Sequence, residues 1–334
     1  MIIAVTPGDP AGIGPEVVWK ALKRRVPSAV SLLCVGARSP FEKMGVPVIE
    51  VNAELLKKGI RPPKTKKPYV WLLAAPIKAP RGRLLEGFQS GWAIEKATAL
   101  VQQQIASALA TGPISKERLQ QGGFPYPGHT EFLADLCGVK NVTMMLANEK
   151  LRISLVTTHL ALKDVPRAVT RARLRQTILH TADHLRRWWG IQRPHIAIAA
   201  LNPHAGESGI FGTEEIRVLS PEIRHLQSQL GQTAELSGPL PADTLFAKHI
   251  MADPRQRYDA VVCMYHDQGL IPVKLLDFPQ TVNITLGLPI VRTSVDHGVG
   301  FDIVGTGKAD PSSLESAIGL AVQITKTLAR RNTR

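Results

Sequence analysis

Cysteine is scarce, with three in 334 residues. Cys34, Cys137 and Cys263 are far apart, odd in number and without metal-type spacing. That excludes a disulfide scaffold or a cysteine-built zinc cluster, and reads as reduced, mostly buried thiols in a cytoplasm. Long hydrophobic runs are missing too: no stretch reaches about 18 apolar residues, so no membrane span is expected. No basic region followed by an apolar stretch and a small-residue cleavage site opens the chain, so no signal peptide is expected. Acidic residues are outnumbered, 27 Asp+Glu against 41 Lys+Arg, for a net charge of +14. Such a balance raises nucleic acid as a partner. Aromatics are only 5%, however, and no zinc-finger spacing or RNA-recognition signature occurs. The basic residues are also dispersed over a solvated loop (61–68), an amphipathic helix (170–190) and a fraying tail (329–334). No nucleic-acid partner is expected, and the charge suits an enzyme that collects anionic, phosphorylated substrates.

Hydrophobic residues at 44% and charged residues at 20% are ordinary for a globular protein, and the length allows one large or two modest domains. Short runs rich in β-branched residues alternate with helical patterns, which is the α/β signature. Strands are expected at 2–6, 30–35, 69–74, 153–157, 196–201, 260–265 and 282–286. Helical spacing links Ile94, Ala97, Val101, Ile105 and Ala108, and links Leu314, Ile318, Ala321 and Leu328 near the end. Ser312 with Glu315 three residues later reads as a helix cap. No internal repeat or low-complexity tract is present. The Gly/Pro-rich stretch 112–130 marks an expected crossing between domains.

The stretch Val5–Glu16, VTPGDPAGIGPE, is a glycine- and proline-rich turn from a strand into a helix. Gly12 and Gly14 are followed by Pro15, Glu16 and Val17, so the third glycine of a Rossmann fingerprint is absent. No Gly-Lys-Ser/Thr follows, which excludes a P-loop. A turn with Pro15 at the first helical position explains it without any ligand. A second glycine-rich stretch, HGVGFDIVGTGKADP at 297–311, precedes the final helix. The pair resembles the β-decarboxylating dehydrogenases of the isocitrate and isopropylmalate type, which bind NAD without a Rossmann fingerprint. That resemblance makes Gly12, Gly14, Gly305 and Gly307 candidate cofactor-binding residues. The sequence departs by two extra residues, Pro10 and Ala11, and by lacking an obvious set of aspartates for magnesium.

Three of the ten histidines close a strand run and open a loop: His159 in LVTTHL, His204 in AALNPHAGESG and His266 in VVCMYHDQG. Ligands collect outside the carboxyl ends of strands in open α/β sheets. Three imidazoles with an open position would make a catalytic site for Zn²⁺ or a similar ion. Loop histidines bonded to backbone are the competing reading. His180 and His184 lie four apart on the basic helix without a metalloprotease glutamate and are expected to face solvent. His195 begins a strand, and His225 and His249 look incidental. His129, Thr130, Lys274, Asn283 and Arg292 form a second set, whose ammonium, carboxamide and guanidinium suit a phosphate or carboxylate.

The ordered motifs TPGDPAGIGPE, TGPISK, GHTEF, TTHLAL, LNPHAGE, GPLPADTLF, MYHDQGL, VNITLGLP, RTSVDHG and GKAD span nearly the whole chain. Together they resemble the 4-hydroxythreonine-4-phosphate dehydrogenase family of pyridoxal 5′-phosphate biosynthesis. The resemblance implies a two-domain, isocitrate dehydrogenase-like α/β fold with a non-Rossmann cofactor site. Residues 1–118 plus 300–334 would form the cofactor-side domain, and 119–299 the domain carrying metal, substrate and dimer contacts. It implies His159, His204 and His266 as ligands of a divalent ion, Zn²⁺ first with Mg²⁺ or Co²⁺ as alternatives. His129, Thr130, Lys274, Asn283 and Arg292 would bind substrate. It also implies NAD or NADP as cofactor and a homodimer with its active site at the subunit interface. The expected reaction is oxidation of 4-phosphohydroxy-L-threonine at C3, then decarboxylation, with Lys116 or Asp243 as the base. Rival readings are a relative acting on a four-carbon sugar-acid phosphate or a dihydrodiol dicarboxylate and, more distantly, a zinc hydrolase.

Overall fold

The computed structural model describes residues 1–23 and 29–332. The chain forms two compact units, Met1–Lys140 with Leu288–Lys326, and Asn141–Gly287 with Thr327–Arg334. The first opens with β1 (Ile2–Thr6), α1 (Gly14–Lys23), β2 (Ser31–Gly36), α2 (Ser39–Lys43), β3 (Val48–Glu50) and α3 (Ala53–Lys57). It continues with β4 (Val70–Ala74), α4 (Leu85–Gln102), β5 (Ala108–Thr111), α5 (Lys116–Gln121) and α6 (His129–Leu136). The second unit holds β6 (Thr143–Ala147), β7 (Arg152–Leu155), α7 (Val165–Ala168), α8 (Arg171–Trp188), β8 (His195–Ala199) and α9 (Ser220–Leu230). It goes on through β9 (Glu235–Leu240), α10 (Ala242–Met251), β10 (Ala260–Cys263), α11 (His266–Asp277) and β11 (Val282–Leu286). The chain then returns to the first unit for β12 (Arg292–Ser294) and enters α12 (Ser312–Asn332).

In the first unit the strands run β3-β4-β2-β1-β5-β12, and every described pairing is parallel. β1 is buried at all five positions, as expected for a strand covered by helices on both faces. The stretch 112–130 is no crossing here. Gly87 and Gly91 let α4 approach the Arg118 carbonyl and the Phe124 ring more closely than a Cβ would allow. Tyr126 stacks on Phe132 at 4.3 Å between ring centroids. That packing keeps 116–136 in the first unit, so the units part after residues 140 and 287, whereas the expected divisions were 118/119 and 299/300. Thr293 Oγ1 donates to Ala317 O at 2.8 Å, which fastens α12 to β12.

In the second unit the order is β11-β6-β7-β10-β8-β9; β6 is antiparallel to both neighbours and the rest pair in parallel. Its core gathers Ile153, Leu155, Ala197, Val261 and Cys263. α8 lays Leu174, Ile178, Leu185 and Trp188 inward, and His184 goes with them. His184 is therefore buried instead of facing solvent: its Nδ1 bonds His180 O at 2.7 Å, and its Nε2 accepts from Gly287 N at 3.2 Å. His180 is half-buried and meets Thr143 Oγ1 at 3.0 Å. His249, expected to be incidental, is buried as well, with Nε2 3.2 Å from Lys150 O.

Three local expectations change. The helical spacing through Ile105 and Ala108 overran: α4 stops at Gln102, and Ala108 opens β5. Ser312 is no cap but the first residue of α12; its hydroxyl donates to Asp310 Oδ1 at 2.7 Å. The expected tail at 329–334 is helical through Asn332, and 333–334 lie outside the described residues. No described helix is long and apolar enough to cross a membrane.

Candidate active site

In the second unit, β7, β10 and β8 are adjacent and parallel, so their carboxyl ends lie side by side. His159 follows β7, His266 opens α11 directly after β10, and His204 follows β8. The His159 and His266 rings stand 5.5 Å apart between centroids, at 45°. Two imidazoles on one ion at metal–nitrogen distances of about 2.0–2.1 Å have centroids about 5 Å apart at a tetrahedral angle. The pair therefore fits two ligand positions. His266 Nδ1 lies 2.7 Å from Asp267 Oδ1, a contact that fixes the ring and leaves Nε2 for an ion. His204 is exposed on the neighbouring strand end, 6.0 Å from the Phe211 ring. Among the described residues no three His, Cys, Asp or Glu side chains are gathered closely enough to hold an ion. The structure thus brings two of the three histidines together.

The backbone around His204 is unusual. His204, Ala205, Glu207 and Ser208 all have positive φ, between 40° and 56°, a conformation that disfavours side chains with a Cβ. Glu215, 2% exposed, holds the entrance to this turn. Its Oε1 accepts from Leu201 N and Asn202 N at 2.8 Å each, and its Oε2 accepts from Asn202 Nδ2 at 2.9 Å. Sequence reasoning missed Glu215, because an isolated glutamate that serves backbone donors carries no local signature. α10 packs beside this turn and carries Asp243, exposed, in its first turn. Lys274 lies on α11 with Nζ 5.2 Å from the Phe278 ring. Asn283 is partly exposed in β11 between buried Val282 and Ile284.

The first unit holds the other candidates. Arg292 is 3% exposed in β12 and donates from Nε and Nη2 to Thr111 Oγ1 at 3.2 and 2.9 Å. Burial lowers its pKa to about 9, so the guanidinium stays charged at neutral pH. Burial, and then the Arg292 charge, hold His129 well below its usual 6.5 and therefore neutral. His129 Nε2 is out of solvent and has no hydrogen-bond partner. A neutral imidazole beside a buried cation is an arrangement that can receive an anionic group. Thr130 is half-buried, next to His129 in α6. Lys116 is close by: a Cβ on Gly128, which precedes His129, would lie 3.8 Å from Lys116 Cε.

The two glycine-rich stretches lie against each other within this unit. Ile13 N donates to Val299 O at 2.9 Å, and Lys20 Nζ donates to Gly307 O and Ala309 O at 2.6 and 2.7 Å. Gly12 and Gly14 must be glycine for internal reasons, since a Cβ at Gly12 would sit 2.7 Å from Val299 O and one at Gly14 would strike the Pro7 carbonyl. α1 begins at Gly14, with Pro15 second. Gly305 and Gly307 have φ +75° and nothing within 4 Å of a Cβ, so their surroundings leave room for a ligand.

Residues 41–321 match the family described as pyridoxal phosphate biosynthetic protein PdxA. The chain belongs to the PdxA family. It is 42% identical to 4-hydroxythreonine-4-phosphate dehydrogenase of Geobacter metallireducens, over 97% of this chain and 95% of that protein. It is also 39% identical to D-threonate 4-phosphate dehydrogenase of Pectobacterium atrosepticum, over 97% and 99%. The fold is similar to that of 4-hydroxythreonine-4-phosphate dehydrogenase from Klebsiella pneumoniae, with a TM-score of 0.85, 37% identity, and 97% and 98% of the two chains covered. The family read from the ordered motifs is thereby borne out, as is the α/β class. This PdxA-family chain is an oxidoreductase, and the zinc-hydrolase reading is not favoured.

Proposed function

We propose that this PdxA-family enzyme oxidises 4-phosphohydroxy-L-threonine at C3 and releases CO₂ and 3-amino-2-oxopropyl phosphate, within pyridoxal 5′-phosphate biosynthesis. The observation that carries the reading is the Arg292–His129 arrangement, a buried cation beside a neutral imidazole whose Nε2 lacks a partner, in a chain so similar to dehydrogenases of that substrate. Arg292, His129 and Thr130 receive the anionic end, and Lys274 and Asn283 supply further polar contacts. Bound NAD⁺ or NADP⁺ would supply the hydride acceptor for C3, and a bound divalent ion, Zn²⁺ before Mg²⁺ or Co²⁺, would supply Lewis-acid chemistry. His159, His266 and His204 would hold the ion, and the segment of Gly12, Gly14, Gly305 and Gly307 would hold the cofactor. Lys116 or Asp243 takes the hydroxyl proton. Loss of CO₂ from the β-keto acid breaks the C1–C2 bond and leaves its electron pair on C2, which is then protonated.

The enzyme is proposed to act in the cytoplasm as a homodimer with its active site at the subunit interface. Ile271 and Leu275 on α11, the helix that His266 opens, and Phe278 directly after it, 65%, 85% and 53% exposed, form an apolar stripe. Such a stripe suits a second copy of the chain. A second substrate reading rests on the D-threonate 4-phosphate relative. Both compounds carry a C3 hydroxyl and a C4 phosphate and differ at C2, amino against hydroxyl.

NADH formation from each compound, before and after chelation and with Zn²⁺, Mg²⁺ or Co²⁺ restored, decides the matter. Metal-dependent NADH from 4-phosphohydroxy-L-threonine supports the proposal. Turnover of D-threonate 4-phosphate alone moves the enzyme to the second reading. A His204→Ala enzyme running at full rate would defeat the metal assignment.

A further inference from the structure

We infer that Gln268 is a positioning residue for the histidine cluster, holding the three histidine-bearing strand ends in register. The inference rests on the proposed metal site. The β10–β7 ladder ends at the pair Cys263↔Leu155, and the β10–β8 ladder at Val262↔Ile198. Beyond those pairs the β7 end stays tied to β10 by backbone bonds from Val156 N to Cys263 O at 2.9 Å and from Thr157 N to Met264 O at 3.2 Å, whereas the tie from β10 to β8 passes to a side chain. Gln268, two residues past His266, spans the gap. Its Oε1 accepts from Met264 N at 2.7 Å, and its Nε2 donates to Ala200 O at 2.7 Å. Met264 is in turn tied to the third strand end, because its carbonyl accepts from Thr157 Oγ1 at 2.7 Å and from Thr157 N at 3.2 Å.

One carboxamide therefore connects residues two, four and two positions from His159, His204 and His266. Met264 and Ala200 are both wholly buried, so water cannot replace the lost partner without opening the strand ends. Gln268 can do both jobs because a carboxamide carries donor and acceptor on one planar group. A carboxylate has no donor at neutral pH, and an aliphatic side chain has neither. Outer residues that orient metal-binding histidines change metal affinity about 10–100-fold when removed.

The test is titration of the metal-free, full-length protein with Co²⁺ alone, reading the visible d–d spectrum and the dissociation constant well below the melting temperature. Gln268→Met keeps the side-chain volume and removes both bonds. It is expected to weaken Co²⁺ binding about 10–100-fold and to alter the d–d band shape, since coordination geometry changes with histidine spacing. Gln227→Met is the control. Gln227 also bridges two backbone groups, accepting from Leu236 N at 2.8 Å and donating to Ala234 O at 3.3 Å, but does so at β9. It should lower the melting temperature while leaving Co²⁺ affinity as in the wild type. If Gln268→Met does not fold, Gln268→Glu, which keeps the acceptor for Met264 N, carries the same comparison. A Gln268 variant that binds Co²⁺ with wild-type affinity and spectrum overturns this inference and leaves the metal site standing. A wild-type protein that binds no Co²⁺ removes the metal site and this inference together.

Discussion

Glu215→Ala should release the turn that presents His204 without unfolding the unit around it. The carboxylate makes three hydrogen bonds, to Leu201 N, Asn202 N and Asn202 Nδ2. Bonds to a charged group contribute about 1.5–3 kcal/mol each, so the three supply about 4.5–9 kcal/mol. Against this stand four non-glycine residues at positive φ, His204, Ala205, Glu207 and Ser208. At about 1–2 kcal/mol apiece their strain comes to about 4–8 kcal/mol. The two quantities nearly cancel, so the turn persists only while the clamp is present. Without it, keeping the turn would leave buried donors unpaired and the strain in place, whereas relaxing the turn removes the strain and exposes the donors to water. Relaxation wins, and the global stability loss stays below about 2 kcal/mol. Hydrogen–deuterium exchange read by mass spectrometry checks this. Amides of 201–212 should lose protection by orders of magnitude, while those of β8 and β10 stay protected. Unchanged exchange in 201–212, or uniform loss across β8 and β10, would refute the reasoning.

Acid should act on the second unit through His184, whose pKa burial lowers to about 4. A base with a depressed folded-state pKa is protonated first in the unfolded chain, so its contribution is complete above pH 6.5 and declines as pH falls toward 4. The loss amounts to about 2 kcal/mol by pH 5, at about 1.4 kcal/mol per unit. Because His129, His180 and His249 are shifted the same way, the quantity to measure is the difference in urea stability between wild type and His184→Gln at pH 7 and pH 5; equal slopes would sink the idea. Gly14→Ala should destabilise by about 1–3 kcal/mol or more, since its Cβ meets the Pro7 carbonyl and the backbone must shift. Gly305→Ala faces open space and should cost only about 1 kcal/mol for its positive φ. Thermal melts that rank the two equally would contradict this, and a raised KM for NAD⁺ in Gly305→Ala would point to the cofactor at that loop.

Much of the architecture was legible where side chains carry the signal. β1, β2, β4, β8, β10 and β11 are rich in Ile, Val and Leu and fall within a residue or two of expectation. β5 (ALAT), β6 (TMMLA), β9 (ELSGPL) and β12 (RTS) were invisible, because their strand character comes from the neighbours they pair with and not from their own residues. The site divides in the same way. Histidines at the ends of apolar strands announce themselves by type and place, and the structure does bring His159 and His266 to 5.5 Å between ring centroids. Glu215 and Gln268 serve backbone groups of other segments, an arrangement that exists only after folding. His184 was expected to face solvent because its local stretch HTADH is polar, although its place on the inward face of the amphipathic helix is set by packing on the sheet.

The parallel pairing of β5 with β12, Leu109 opposite Arg292, also has a consequence in time. A growing chain that has already assembled β1 and β5 must make residues 112–291 before β12 can take its place. At about 5–20 residues per second that interval lasts about 10–40 s. Throughout it, β5, an apolar strand buried at every position in the finished protein, presents an open edge that can pair with another nascent chain. Ribosome-bound intermediates of this enzyme should therefore be most exposed to aggregation and to chaperones while the second unit is being synthesised, and the hazard should end abruptly once Ser294 is free of the ribosome.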